Sequence, residues 1–141
     1  MHNKDRCGNI KTNKCSFTLQ TVGGEWIFRK ILNGMGIEDL FICPSRATRE
    51  SNTQADGEYG VALRMFNLKE RHYDMVYNCG KGMRRLVFEK IDDKLIGTLL
   101  DEPNKRWVFS EITRNTFHWQ NVTVLENGEW KINSNVYAKR R

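Results

Sequence analysis

Six large aromatic side chains, Trp26, Trp107, Phe109, Phe117, Trp119 and Trp130, together with Arg64 and Glu111, are the residues of this chain best suited to hold a small molecule. Tryptophan offers a flat apolar face and one indole N–H donor, so a wall of such rings would stack an apolar or aromatic ligand. An arginine on the same face would take an acid group with its planar fork. Glu111 shares strand parity with Trp107 and Phe109, which predicts that it faces inward with them and needs a cationic partner or a raised pKa there. Arg64 is the expected partner. The bland alternative makes the rings ordinary core, each burying on the order of 150 to 250 Å², and lets Glu111 reach solvent at a strand end.

Other chemistry is poorly supplied. His72 and His118 are the internal histidines, and neither has an acid or a nucleophile at motif spacing. His118 has the opposite parity to Phe117 and Trp119, which argues against an inward haem ligand. An enzyme acting inside a cavity, with Glu111 or His72 as acid or base positioned by Arg64, is kept as an alternative. Cys7, Cys15, Cys43 and Cys79 are spread singly with no metal-ligand spacing, which predicts reduced thiols, no metal and no cofactor. Gly80-Lys81-Gly82 lacks the frame of a phosphate loop and reads as a hairpin.

Composition sets the bounds. At 141 residues, with 39% hydrophobic and 28% charged residues, the chain can bury a core of its own and is not disordered by composition. No apolar run approaches the roughly 20 residues needed to span a bilayer as a helix, and the start of the chain has no apolar signal core. A cytoplasmic location is the default. The net charge of +6 permits an anionic partner, but bases and acids are interspersed, and Arg84-Arg85 and Lys139-Arg140-Arg141 are the clusters. Nucleic acid is therefore a second alternative, requiring those clusters beside an exposed aromatic face.

The elements that must position these residues are strands. Turn residues recur at nearly even spacing: Val22-Gly23-Gly24, Asn33-Gly34-Met35-Gly36, Asn67-Leu68-Lys69-Glu70, Cys79 to Gly82, Asp92-Asp93, Glu102-Pro103-Asn104, Thr113 to Asn115 and Glu126-Asn127-Gly128. The segments between them are rich in aromatic and β-branched side chains. The pattern predicts strands over 14–21, 24–33, 36–43, 58–67, 71–79, 82–91, 94–101, 105–112, 115–126 and 129–138, preceded by a flexible lead over 1–13. Short turns force antiparallel neighbours. The polar stretch 44–57 is the one long loop, expected to border the mouth of any binding site. Alternation in Arg106 to Ile112 and Thr116 to Val122, repeated by Trp130 and Ile132, predicts one aromatic face over the last three strands. An all-β, antiparallel up-and-down meander of this length is relieved of its edges by closing into a barrel of about eight to ten strands, forming a single domain over 14–141.

The runs Gly24-Glu25-Trp26-Ile27-Phe28, Gly36 to Arg46, Tyr59 to Phe66, Arg106 to Thr113, Phe117-His118-Trp119 and Gly128-Glu129-Trp130 resemble a group of uncharacterised bacterial lipocalin-like (calycin) proteins. The resemblance covers most of the chain from about residue 24. It implies a barrel with an internal cavity and brings no agreed activity. It also aligns Gly24-Glu25-Trp26 with the Gly-x-Trp triplet of the wider superfamily and implies a C-terminal arginine such as Arg140 over the tryptophan, although a second triplet occurs at Gly128-Glu129-Trp130. The leading expectation is a binding protein for a small apolar or aromatic ligand, with or without an acid group, in a cavity lined by Trp26, Arg64, Trp107, Phe109, Glu111, Phe117, Trp119 and Trp130. A homodimer is expected if the sheet leaves an edge for a second copy to cover, and no membrane partner is expected.

Overall fold

Turn residues cut the chain into ten strands, and a computed structural model places each of them. It describes residues 14–20, 23–51 and 57–141. The expected lead over 1–13, Cys7 and the middle of the 44–57 loop lie outside the described residues. The strands are β1 (Lys14–Leu19), β2 (Gly24–Ile31), β3 (Gly36–Cys43), β4 (Glu58–Asn67) and β5 (His72–Asn78), then β6 (Met83–Ile91), β7 (Lys94–Leu99), β8 (Lys105–Ser110), β9 (Thr116–Val124) and β10 (Trp130–Arg140). Every neighbour is antiparallel, and the meander closes by pairing β1 with β10, Phe17 opposite Arg140 and Leu19 opposite Ala138. Closure leaves no sheet edge, which removes the ground on which a homodimer was expected. No helix among the described residues is long and apolar enough to cross a membrane.

Period-two alternation decides what lies inside. On β4, Gly60, Ala62 and Arg64 are buried while Tyr59, Val61, Leu63 and Met65 are exposed. Phe17, Trp26, Met75, Tyr77, Leu86, Phe88, Phe109 and Phe117 belong to the resulting core, and Phe28, Phe41, Trp107 and Trp119 pack against it. Trp26 sits at its centre, with ring centroids 4.7 Å from Phe41, 5.4 Å from Phe109, 5.4 Å from Phe117 and 6.0 Å from Trp119. Edge and tilted contacts of this kind add to the burial of each ring.

Consecutive turns alternate between the two ends of the barrel. The β1–β2, β3–β4, β5–β6, β7–β8 and β9–β10 connections lie at one end. The β2–β3, β4–β5, β6–β7 and β8–β9 turns lie at the other, with the start of β1 and the end of β10. Glu25, facing outward on β2, anchors the start of the long loop at the first end. Its carboxylate accepts from the Arg46 backbone N–H (2.9 Å), Arg46 Nε (3.1 Å) and Nη2 (2.8 Å), and from Arg141 Nη2 (2.9 Å). Arg46, and then Arg141, hold the Glu25 pKa down from its ordinary 4.5 to about 2. A depressed carboxylate pKa contributes stability that is complete above the unfolded value and is lost as pH falls from about 4.5 toward 2. Both arginines are half exposed, so screening reduces the contribution to about 1 to 2 kcal/mol. Chemical denaturation of the wild type and Glu25→Gln between these pH limits checks it. The difference between the two proteins is expected to shrink to near zero at the acid limit.

One sequence expectation is corrected outside the site. Cys15 is disulfide-bonded, whereas reduced thiols were expected throughout.

Candidate functional site

The barrel interior holds two chambers that meet at Arg64. The larger, about 480 Å³, lies toward the end that carries the β8–β9 turn. Phe17, Phe28, Ile37, Tyr73, Phe88, Leu95, Phe109 and Phe117 form its walls, and Ile112, Thr113 and Arg114 of that turn stand at its mouth with Arg140. The smaller, about 60 Å³, lies toward the opposite end and is lined by Trp26, Asp39, Phe41, Glu58, Met75, Tyr77, Trp107, Trp119 and Asn121. Arg64 lines both. The larger chamber therefore opens away from the 44–57 loop, and none of that loop's described residues lines either chamber.

Arg64 reaches the interior because β4 alternates, and its partner arrives by the same rule from β3. Ile37 pairs with Arg64 across the strands, and Asp39, two residues on, shares its inward face. Arg64 Nη1 donates to Asp39 Oδ2 in a pair whose residues are 8% and 1% exposed. Burial lowers the Arg64 pKa to about 10, which keeps it charged at neutral pH. Its guanidinium also lies over the rings of Phe88 (5.3 Å) and Phe109 (5.5 Å), a cation–π geometry. Tyr77 donates to Glu58 Oε1 (2.6 Å) at the far wall of the smaller chamber. Burial, and then Glu58, push the Tyr77 pKa far up, so it stays a neutral donor. The Trp26 indole N–H is buried and has no acceptor among the described residues.

The expected cavity residues divide. Trp26, Arg64, Trp107, Phe109, Phe117 and Trp119 line the chambers. Trp130 does not. A β-bulge between Ile132 and Ser134 shifts the register of β10, so Trp130 pairs with the outward Val124 while Val136 and Ala138 beyond the bulge turn inward. Trp130 is 40% exposed. Glu111 does not face inward either. β8 ends at Ser110, and Glu111 takes a left-handed φ of 49°, which breaks the alternation from which its direction was read. Its carboxylate reaches the outer face, 3.0 Å from His118 Nδ1. His118 there stacks on Tyr137 with ring centroids 4.2 Å apart, and its Nε2 lies 2.8 Å from Asn135 Oδ1.

His72 also lies on the outer face, 3.0 Å from Asp74. The structure therefore does not bring Arg64, Glu111 and His72 together. Arg140 covers Phe17, at 5.9 Å, rather than the tryptophan of the Gly-x-Trp triplet. Of the basic clusters, Arg85 pairs with Asp101 at 3.0 Å and Arg141 with Glu25 at 2.9 Å, and most of the aromatic face is turned inward, where Arg140 lines the larger chamber with Phe109 and Phe117 rather than standing beside exposed rings. Asp39, Glu58, Tyr77 and Arg114 are polar site residues that sequence reasoning missed.

The turns at the larger chamber's end differ from those at the other. Leu32, Asn33, Arg71, Asp92 and Glu111 all have left-handed φ, between 49° and 59°, and all lie in its four turns. Gly34 at this end is also positive, at 88°, and at the opposite end the positive-φ positions among the described residues are all glycines, Gly23, Gly80, Gly82 and Gly128. Asn and Asp tolerate it, whereas Leu32, Arg71 and Glu111 are strained by roughly 1 kcal/mol or more each. Stored strain of this kind concentrates at ligand clamps and mouths. Comparison with known proteins adds no family to this geometry, since no protein-family model matches the chain and no curated protein matches it.

Proposed function

We propose that this protein is a calycin-like binding protein, lipocalin-like as its sequence resemblance suggests, that carries an apolar or aromatic small molecule bearing an acid group in the larger chamber. One observation carries the reading: among the described residues, every charged one lining that apolar chamber is an arginine, Arg64, Arg114 and Arg140. A chamber of about 480 Å³ falls within the range of small-molecule sites, roughly 300 to 1,000 Å³. Its aromatic walls favour an apolar body, and the cations at its mouth favour an acid at one end. Ligand binding without chemistry fits best, because the acid and base candidates lie outside the chambers. The disulfide at Cys15 favours an oxidising compartment over the cytoplasm.

Titration calorimetry with dodecanoate against the whole chain tests the reading. Saturable binding with a negative heat-capacity change is expected, the mark of apolar burial. Arg114→Glu, at the exposed mouth, is expected to weaken dodecanoate binding about tenfold, roughly 1.4 kcal/mol, and to leave 1-dodecanol binding unchanged. Absence of saturable binding across fatty and aromatic acids, with a side-chain-filled interior in a crystal, would overturn it.

A further inference from the structure

The strongest unspent chemistry in the molecule is a set of donors at the deep end of the cavity. Asp39 takes Arg64 Nη1, the one hydrogen bond the guanidinium makes among the described residues, so its Nε and Nη2 donors remain. The Trp26 indole N–H lies in the wall of the smaller chamber, its residue 5% exposed, with no acceptor among the described residues. A buried donor without an acceptor costs about 1 to 3 kcal/mol. These two side chains share one chamber, and Arg64 joins it to the larger one.

Charge decides what those donors accept. Arg64 and Asp39 already neutralise each other, so a carboxylate brought to this depth would be an uncompensated buried charge, costing several kcal/mol. A neutral carbonyl oxygen accepts the same N–H groups without that cost, and a hydrogen bond from a charged donor contributes about 1.5 to 3 kcal/mol. Arg114, at the opposite limit of the cavity, is exposed and makes no ion pair among the described residues. At about 60 Å³ the smaller chamber admits the tip of a molecule rather than its body.

We propose that the smaller chamber is a second subsite, which takes a neutral oxygen acceptor at the far end of the ligand between Arg64 and the Trp26 indole N–H. The ligand class becomes an apolar acid with a carbonyl at its other end, bound with its acid at the mouth and its carbonyl inside. This rests on the reading of the larger chamber given above, and the test separates the two.

Decanoate, dodecanoate and tetradecanoate, and their methyl-ketone-terminated counterparts, are titrated calorimetrically into the whole chain. At the chain length that spans both chambers the ketone acid is expected to bind about tenfold tighter than the plain acid. Trp26→Phe keeps a ring in the core and removes the N–H. It is expected to cut that preference, read as the ratio of the two acids' affinities for the same variant, to about twofold. Indole N–H resonances of ¹⁵N-labelled wild-type protein supply a readout that does not depend on the variant folding. The Trp26 signal, assigned through its proximity to Phe41, is expected to move downfield with the ketone acid and not with the plain acid. Equal affinities at every length, or an unmoved Trp26 signal, would overturn the subsite and leave the carrier reading standing, with ordered water as the chamber's occupant. If neither series binds, the reading of the larger chamber falls and the subsite with it.

Discussion

Asp39→Ala is expected to destabilise the protein by about 3 to 5 kcal/mol, because it leaves the Arg64 guanidinium buried in the barrel without its counter-charge. The pair is almost wholly removed from water, so neither solvent nor salt substitutes for the lost carboxylate. The Arg64 pKa, already lowered to about 10 by burial, stays too high for deprotonation to relieve the charge at neutral pH. A fall in Tm on the order of 10 °C follows for a chain of this length. The complementary variant separates the cost of an orphaned charge from the worth of the pair. Asp39→Leu combined with Arg64→Met replaces both ions with apolar side chains and is expected to recover most of the loss, since a buried ion pair is often no more stabilising than a hydrophobic one. Equilibrium denaturation of the single and double variants reads both effects. A single variant costing less than about 1 kcal/mol would mean that water reaches Arg64. The double variant should also lose the preference for a ketone-bearing acid.

The strand pattern and the closed barrel were legible because the signals were local: turn residues bounded every element, and alternation held wherever a strand ran without interruption. It failed at two identifiable points. At Ile132 and Ser134 a bulge inserts one residue and reverses the facing of Trp130. At Glu111 the strand has ended, and a positive φ turns the side chain outward. Nothing in the types of those residues marks either event. The Asp39–Arg64 pair is different, since Arg64 was expected inside while the signal for Asp39 was present and unread. Ile37, Asp39 and Phe41 alternate on one face of β3, and Ala62, Arg64 and Phe66 on one face of β4. A charge flanked by apolar residues at two-residue spacing marks a buried ion on each strand. What sequence could not supply was the register that brings Asp39 beside Arg64. The two chambers follow from that register, because the pair stands where they meet.

The asymmetry of the two ends bears on function in the same physical terms. At the first end the positive-φ positions among the described residues are glycines, which adopt that conformation at no steric cost, and the three hydrogen bonds from Arg46 to Glu25 hold the start of the long loop against the wall. At the other end the turns carry side chains in strained conformations, and one of those turns contributes Ile112, Thr113 and Arg114 to the mouth of the larger chamber. Under the proposed function a ligand would enter where backbone strain is stored, with the ion pair at the bottom of its path. The Glu111–His118 contact on the outer face ties the strained residue of that turn to β9.

Gly97→Ala is expected to cost about 2 to 3 kcal/mol, the range of an overpacked core. Gly97 on β7 pairs with Phe88 on β6, and the Phe88 ring lies flat over it, so a Cβ there would meet three ring carbons at 2.6 to 2.8 Å. The backbone at Gly97 needs no positive φ, which makes the cost one of space alone. The ring can give only toward the larger chamber that it walls: Phe88 is 3% exposed, Phe109 lies 5.9 Å away, and the Arg64 guanidinium sits over its face. A ring forced off its position would therefore press on the Arg64 site as well as on the core. Pairing Gly97→Ala with Phe88→Leu tests this cause by a double-mutant cycle, since the smaller side chain leaves room for the added methyl. The two substitutions together are expected to cost at least 1 kcal/mol less than the sum of each alone. Additive costs would show that the Phe88 ring moves aside freely, and that Arg64 is held by Asp39 without help from the aromatic wall.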